Sequence, residues 1–79
     1  MVTMAKYDKL HKGMNYEEVC EILGSPGELV SSETAQIQPG ITHHAIQTDL
    51  YEWRNPDHSW VRLMFNQGQL SDAAEEGLA

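Results

Sequence analysis

Four histidines are the side chains in this sequence best suited to bind a metal ion: His11, His43, His44 and His58. His43 and His44 are adjacent, so on a strand they would point to opposite faces. The chain has no Cys-x-x-Cys or His-x-x-x-His pair, the spacings typical of zinc sites. A small-ligand or metal site built from the histidines is therefore the alternative hypothesis. Solvated loop histidines explain them more simply, and we predict no cofactor and no metal.

Cys20 is the only cysteine, so the chain cannot form an internal disulfide. It could act as a nucleophile with a nearby histidine. However, it falls on the apolar stripe of a predicted helix, where a free cysteine behaves as a small hydrophobic residue. Glutamates on either side would also disfavour its thiolate. We therefore expect Cys20 to belong to the core.

Three carboxylates, Asp49, Glu52 and Asp57, lie in or just after one predicted strand. A catalytic carboxylate pair needs a cleft and shifted pKa values, and neither can be inferred from the sequence. We expect these groups to lie on a solvated edge. No nucleophile–base pair and no glycine-rich phosphate loop are recognisable, so we predict that the chain is not an enzyme.

Composition describes a small acidic domain. The chain has 79 residues, of which 41% are hydrophobic and 22% charged, and its formal net charge is -7. Nucleic-acid binding needs clustered basic residues, so the charge argues against it and equally against anionic membrane surfaces. Two interpretations of the acidic charge stay open: solubility alone, or a match to a basic patch on a partner.

Two helices are predicted at the start of the chain. Met4, Tyr7 and Leu10 recur every three residues and predict a short helix over about 4–11, with Gly13 after its end. The second helix is predicted over 16–23. Asn15 and Glu18 have the spacing of a capping box, and Gly24 and Pro26 end the helix.

Strands are predicted from Gly27 onward, over about 28–33, 45–53, 58–66 and 69–74. The segment 35–44 contains Pro39-Gly40 and is typical of a loop, and Asn55-Pro56-Asp57 is typical of a type I turn. Gly68 indicates a tight hairpin that returns into a last strand. The tail from Ser71 also has helix propensity, but we favour the strand because the hairpin dictates pairing.

This order predicts a single α+β domain over 1–79. Two N-terminal helices pack on one face of a three- to four-stranded antiparallel meander sheet.

Short motifs run along nearly the whole chain. Its opening has the pattern Tyr7-x-x-Leu10-x-x-Gly13-Met14-x-Tyr16-x-x-Val19-x-x-Ile22-Leu23-Gly24-x-Pro26-Gly27. Downstream come Trp53, Val61-Arg62-Leu63-Met64-Phe65-Asn66-Gln67-Gly68 and the final Gly77-Leu78. Together these motifs resemble those of two groups, the β-lactamase-inhibitor-protein-like domains and the SmpA/OmlA (BamE) outer-membrane assembly lipoproteins.

The resemblance implies two helices on one face of a curved antiparallel sheet, with Trp53 in the core. It also implies an open face, or its rim, that binds proteins. The sequence departs from the relatives in two ways. It has no lipobox, because Cys20 lies inside a helix, and it lacks the tandem second copy of the secreted inhibitors. Lipidation, β-lactamase inhibition and an outer-membrane role are therefore not carried over.

One strand presents a candidate binding stripe. Successive side chains of a strand point to opposite faces. If Val61, Leu63 and Phe65 face the helices, then Trp60, Arg62 and Met64 lie on the open face. Such residues are enriched in protein interfaces, and Arg62 could stack on Trp60. Structural coverage by a loop or a second copy of the chain is the competing explanation. Trp53 belongs to the core in the family pattern, which places its strand neighbours Leu50 and Glu52 beside the stripe.

We therefore predict a non-catalytic protein-interaction module that binds a protein partner, or a second copy of itself in a homodimer. The predicted binding residues are Trp60, Arg62, Met64, Leu50 and Glu52. We expect neither nucleic-acid binding nor membrane insertion, since no stretch approaches ~20 apolar residues. Without a signal peptide or lipobox the sequence predicts a cytoplasmic protein, or an extracytoplasmic one if an N-terminal segment has been removed.

Overall fold

The protein is α+β, with two short helices followed by one antiparallel sheet. The computed structural model describes residues 1–36 and 45–79. Its elements are α1 (Met4–Tyr7), α2 (Tyr16–Leu23), β1 (Glu28–Gln36), β2 (Ala45–Arg54), β3 (Trp60–Asn66) and β4 (Gln69–Glu76). The strands lie in the order β1-β2-β3-β4, and all neighbours pair antiparallel. The predicted fold class is thus confirmed.

Helix α2 is defined by its own caps. The Asn15 side chain accepts a hydrogen bond from the Glu18 backbone N–H, and the Glu18 carboxylate accepts one from the Asn15 N–H. Gly24 ends the helix in the left-handed region, with φ 87°. These local interactions explain why the predicted range 16–23 agrees with the observed helix.

Helix α1 is shorter than the predicted 4–11, because it ends at Tyr7. The chain then turns, and the Gly13 N–H donates to the Leu70 carbonyl while the Leu70 N–H donates to the Met14 carbonyl. This pairing with β4 draws the segment after Tyr7 away from a helical path. The spacing of apolar residues along the chain cannot predict hydrogen bonds to a residue as distant in sequence as Leu70.

Strand bounds also differ from the prediction at several ends. β1 reaches Gln36 rather than 33, so Ala35 and Gln36 are strand residues instead of loop, and β4 reaches Glu76 rather than 74. β3 begins at Trp60 rather than 58, because His58 has φ 74° and belongs to the turn. The rest of the predicted loop, with His43 and His44, lies outside the described residues.

The core lies between the helices and one face of the sheet. Val61, Leu63 and Phe65 are buried on β3, as the alternation predicts. Six more residues complete the core, namely Val2, Met14, Val19, Leu23, Trp53 and Leu70. Cys20 packs against this core in a half-buried position. Neither described helix has the length or apolar character needed to cross a membrane.

Candidate binding face

Among residues 1–36 and 45–79, both helices pack on one face of the sheet, and we call the other face the open face. Antiparallel partners share a face, and the register pairs Leu50 with Met64, Glu52 with Arg62 and Arg54 with Trp60. All six side chains therefore lie on the face opposite Val61, Leu63 and Phe65. The register brings together the five residues predicted for binding, Leu50, Glu52, Trp60, Arg62 and Met64; whether they bind a partner stays a prediction.

A guanidinium stacked on an indole is the main feature of the open face. The Arg62 Cζ lies 4.3 Å from the centroid of the Trp60 ring, as the i, i+2 spacing suggests. Trp60 Nε1 also donates to Glu76 Oε2 at 3.2 Å. The indole is thus held at its ring face and at its Nε1, while Trp60 remains partly exposed.

Glu52 lies beneath this stack and differs from its prediction. We expected a solvated carboxylate, but the Glu52 side chain is only 8% exposed. Its Oε2 accepts from Arg62 Nε at 2.7 Å, and its Oε1 accepts from Arg54 Nε. The bonds from Arg62 and then Arg54 hold the pKa of Glu52 below its usual range. The alternation of side chains along a strand predicts the face on which a residue lies, but it does not predict how much of that residue its neighbours cover.

Arg54 was missed as a member of this face. It follows Glu52 by two residues, so the alternation of β2 already placed both on the same side. Its Nε donates to the Glu52 carboxylate, and its side chain is 63% exposed. A continuation of the alternation through Arg54 would have found it.

A shallow apolar depression of about 220 Å³ adjoins the stack. Its lining comes from three neighbouring strands: Leu50 of β2, Arg62 and Met64 of β3, and Asp72, Ala73 and Ala74 of β4. Apolar depressions beside a cationic aromatic pair are suited to receive an apolar side chain. The depression thus extends the surface of the stack with apolar side chains.

The other candidate residues are dispersed. Asp49 lies on the helix side, where it accepts hydrogen bonds from Ser32 Oγ and Gln47 Nε2, and these bonds lower its pKa. Asp57 caps its own turn through Ser59. His11 and His58 are exposed. Within residues 1–36 and 45–79, no group of three or more potential ligands could hold a metal ion.

A two-helix layer on one face of a four-stranded antiparallel sheet, with the other face open, defines a small two-layer α+β domain. The sequence matches the family Beta-lactamase inhibitor (BLIP) over residues 3–79, and the chain belongs to this family. The predicted resemblance to inhibitor-like domains is confirmed, while the resemblance to the SmpA/OmlA lipoproteins stays a prediction. No curated protein matches the chain significantly. The family consists of protein-binding, inhibitor-like modules rather than enzymes.

Proposed function

We propose that this chain is a non-catalytic interaction module that binds another protein through the open face of its sheet. The observation that carries the proposal is the Trp60–Arg62 stack, partly exposed beside Met64 and Leu50. Trp and Arg are the residues most often found as energetic hot spots, and Met adapts well to apolar partners. Family membership supports protein binding as the mode of action.

The stack is already held in place before any partner arrives. Arg62 is bonded to the nearly buried Glu52, and Trp60 is bonded to Glu76. Ordering a free Arg or Trp side chain on binding costs about 0.5–1.5 kcal/mol each. Because these side chains are already ordered in the free protein, the same contacts give tighter binding.

The acidic residues around the stack favour a partner with basic residues. Glu28, Glu33, Asp72 and Glu76 share the open face by strand register, while Glu52 is taken up by the two arginines. An acidic rim around a cationic aromatic centre fits a partner with basic residues around an apolar protrusion. Binding should then weaken with added salt, because exposed charges are screened.

The test compares immobilised wild type, Trp60→Glu and Ser25→Glu as baits in native cell extract. Ser25 is an exposed turn residue away from the open face, so its variant matches the change of charge. We expect a protein captured by wild type and by Ser25→Glu but lost with Trp60→Glu. With that protein purified, Trp60→Glu should weaken binding by about 30-fold, the effect of a 2 kcal/mol hot spot.

Circular dichroism of the three baits shows whether Trp60→Glu is folded. A folded Trp60→Glu variant that binds the purified partner as tightly as wild type would refute the open face as the binding surface. Absence of any protein specific to wild type and Ser25→Glu would count against the interaction module itself.

A further inference from the structure

Strand β1 leaves one edge of the sheet uncovered. Within residues 1–36 and 45–79, β2 is the only strand that pairs with β1. Residues 28–35 are all exposed. Leu29 and Val30 are 51% and 53% exposed, and only Met1 joins them as a large exposed hydrophobic residue of the described chain. An edge of this kind is a template for another strand.

The opposite edge is covered at the start of β4. The segment before α2 pairs with the start of β4 through the Gly13–Leu70 and Leu70–Met14 hydrogen bonds and the Asn15–Gln69 bridge. β1 lacks three of the common devices that block pairing, because it is nine residues long and contains neither Lys nor Pro, although Glu28 and Glu33 place charge on it. Its one irregularity is the bulge at Val30.

We propose that β1 pairs antiparallel with β1 of a second copy, around a two-fold axis at Ser32. In this register Ser31 lies opposite the partner's Glu33. Beyond the bulged Val30, Leu29 lies opposite the partner's Thr34 and Glu28 opposite the partner's Ala35. Each pair joins residues that already share a face: Leu29 and Thr34 lie on the helix side with Tyr51 and Gln47.

Charge favours this register. No carboxylate lies directly opposite another, because Glu28 faces an alanine and Glu33 faces a serine. The nearest pair, the two Glu33 residues, is diagonal across the axis, about 7–8 Å apart. A register centred at Ser31, with Val30 again bulged, would instead oppose Glu28 to Glu33, and like charges directly opposite destabilise a sheet.

The dimer pairs through the backbone edge of β1 rather than through the Trp60–Arg62 stack, so it does not depend on the proposed function. The two-fold axis runs perpendicular to the sheet, so both pairs of helices lie on one side. Trp60 and Arg62 of both copies stay uncovered on the other side. Each copy has a net charge of -7, so screening should favour the dimer, and added salt should raise its fraction.

The first test measures the mass of wild type by analytical ultracentrifugation from about 1 µM to about 1 mM, a range that covers weak association. We expect a dimer whose fraction rises with protein concentration and with salt. Ser32→Lys places two lysines opposite each other at the axis and should be monomeric throughout. Ser25→Lys makes the same change of charge on an exposed turn and should dimerise as wild type does.

If only net charge mattered, Ser32→Lys would raise the dimer fraction, because a less acidic chain repels its copy less. Loss of the dimer in this variant alone therefore identifies the edge. A monomeric wild type at about 1 mM would overturn the proposal. A dimer that persists in the Ser32→Lys variant would also overturn the proposal. If that dimer were lost in the Trp60→Glu variant, the two copies would pair through the open face instead.

The second test fixes the register on a Cys20→Ser background. Ser32→Cys should form an intermolecular disulfide, because directly opposed residues have Cα atoms about 4.5–5.5 Å apart. Thr34→Cys should cross-link at least ~10-fold more slowly, since its two copies would be about 14 Å apart at ~3.4 Å per residue. Equal rates for the two variants would contradict the axis at Ser32.

Discussion

At the scale of single residues, Glu52 connects the fold to the candidate binding face. Its carboxylate is nearly buried and bonded to Arg54 and Arg62, and Arg62 in turn stacks on Trp60. A buried carboxylate without its cations would be costly. The two arginines therefore stabilise Glu52, and Glu52 fixes the position of Arg62 in the stack.

Glu52→Gln should lower the free energy of unfolding at pH 7, and acid should diminish the difference from wild type. The pKa of Glu52 is lowered in the folded protein, so its contribution is present above the unfolded pKa of about 4.3. It is lost as the pH falls through the lower, folded pKa. Urea unfolding at a series of pH values between about 2.5 and 7 measures both effects.

Glu21→Gln is the matched control, because Glu21 is an exposed carboxylate on α2. This variant should keep the wild-type free energy of unfolding at pH 7. A gap between wild type and Glu52→Gln that stays constant with pH would mean that the ionised form of Glu52 adds nothing to stability.

At the scale of the elements, β3 determines which side of the sheet is core. Val61, Leu63 and Phe65 have exposed fractions of 1% or less, whereas Trp60, Arg62 and Met64 are partly exposed or exposed. A shift of one residue would exchange these two sets. The binding face therefore depends on the same alternation that builds the core.

Val61→Glu should unfold the domain, while Trp60→Glu should leave it folded. The Val61 side chain is fully buried, and an unpaired charge there costs about 3–5 kcal/mol, comparable with the whole stability of a small domain. Circular dichroism and urea unfolding of the two variants test the pair. A folded Val61→Glu beside an unfolded Trp60→Glu would show that the register is reversed.

At the scale of the whole molecule, the N-terminus is bound to the turn between β2 and β3. Val2 is buried, its N–H donates to Asn55 Oδ1, and its carbonyl accepts from Asn55 Nδ2, both at 2.8 Å. Asn55 Nδ2 also donates to Ser59 Oγ. The Met4 N–H donates to the Ala79 carbonyl, so both ends of the chain meet at this turn.

Asn55→Ala should destabilise the protein by about 2–4 kcal/mol, because it leaves the buried N–H and carbonyl of Val2 without partners. Pro56→Ala is the control in the same turn. Pro56 is exposed, and the loss of proline rigidity costs only about 0.4–1 kcal/mol. If both variants lowered the free energy of unfolding by the same amount in urea, the turn itself, and not the hydrogen bonds to Val2, would account for the stability.

The sequence determined those features that depend on neighbours along the chain. The capping box of Asn15 and Glu18 with Gly24 fixed α2. The hairpin at Gly68 correctly outweighed the helix propensity of the tail. The alternation of β3 separated core from open face. In each case the interacting groups lie within a few residues, so their spacing carries the structural information.

Tertiary structure decided what depends on residues far apart in sequence. Helix α1 ends early because residues 13 and 14 pair with Leu70. Asn55 owes its partners to the burial of Val2, 53 residues away. Glu52 is buried because strand pairing sets Arg62 beside it, and the exposed edge of β1 follows from the order of the strands. Periodicity assigns a side chain to a face, but only packing decides which neighbours cover it and which edge stays free.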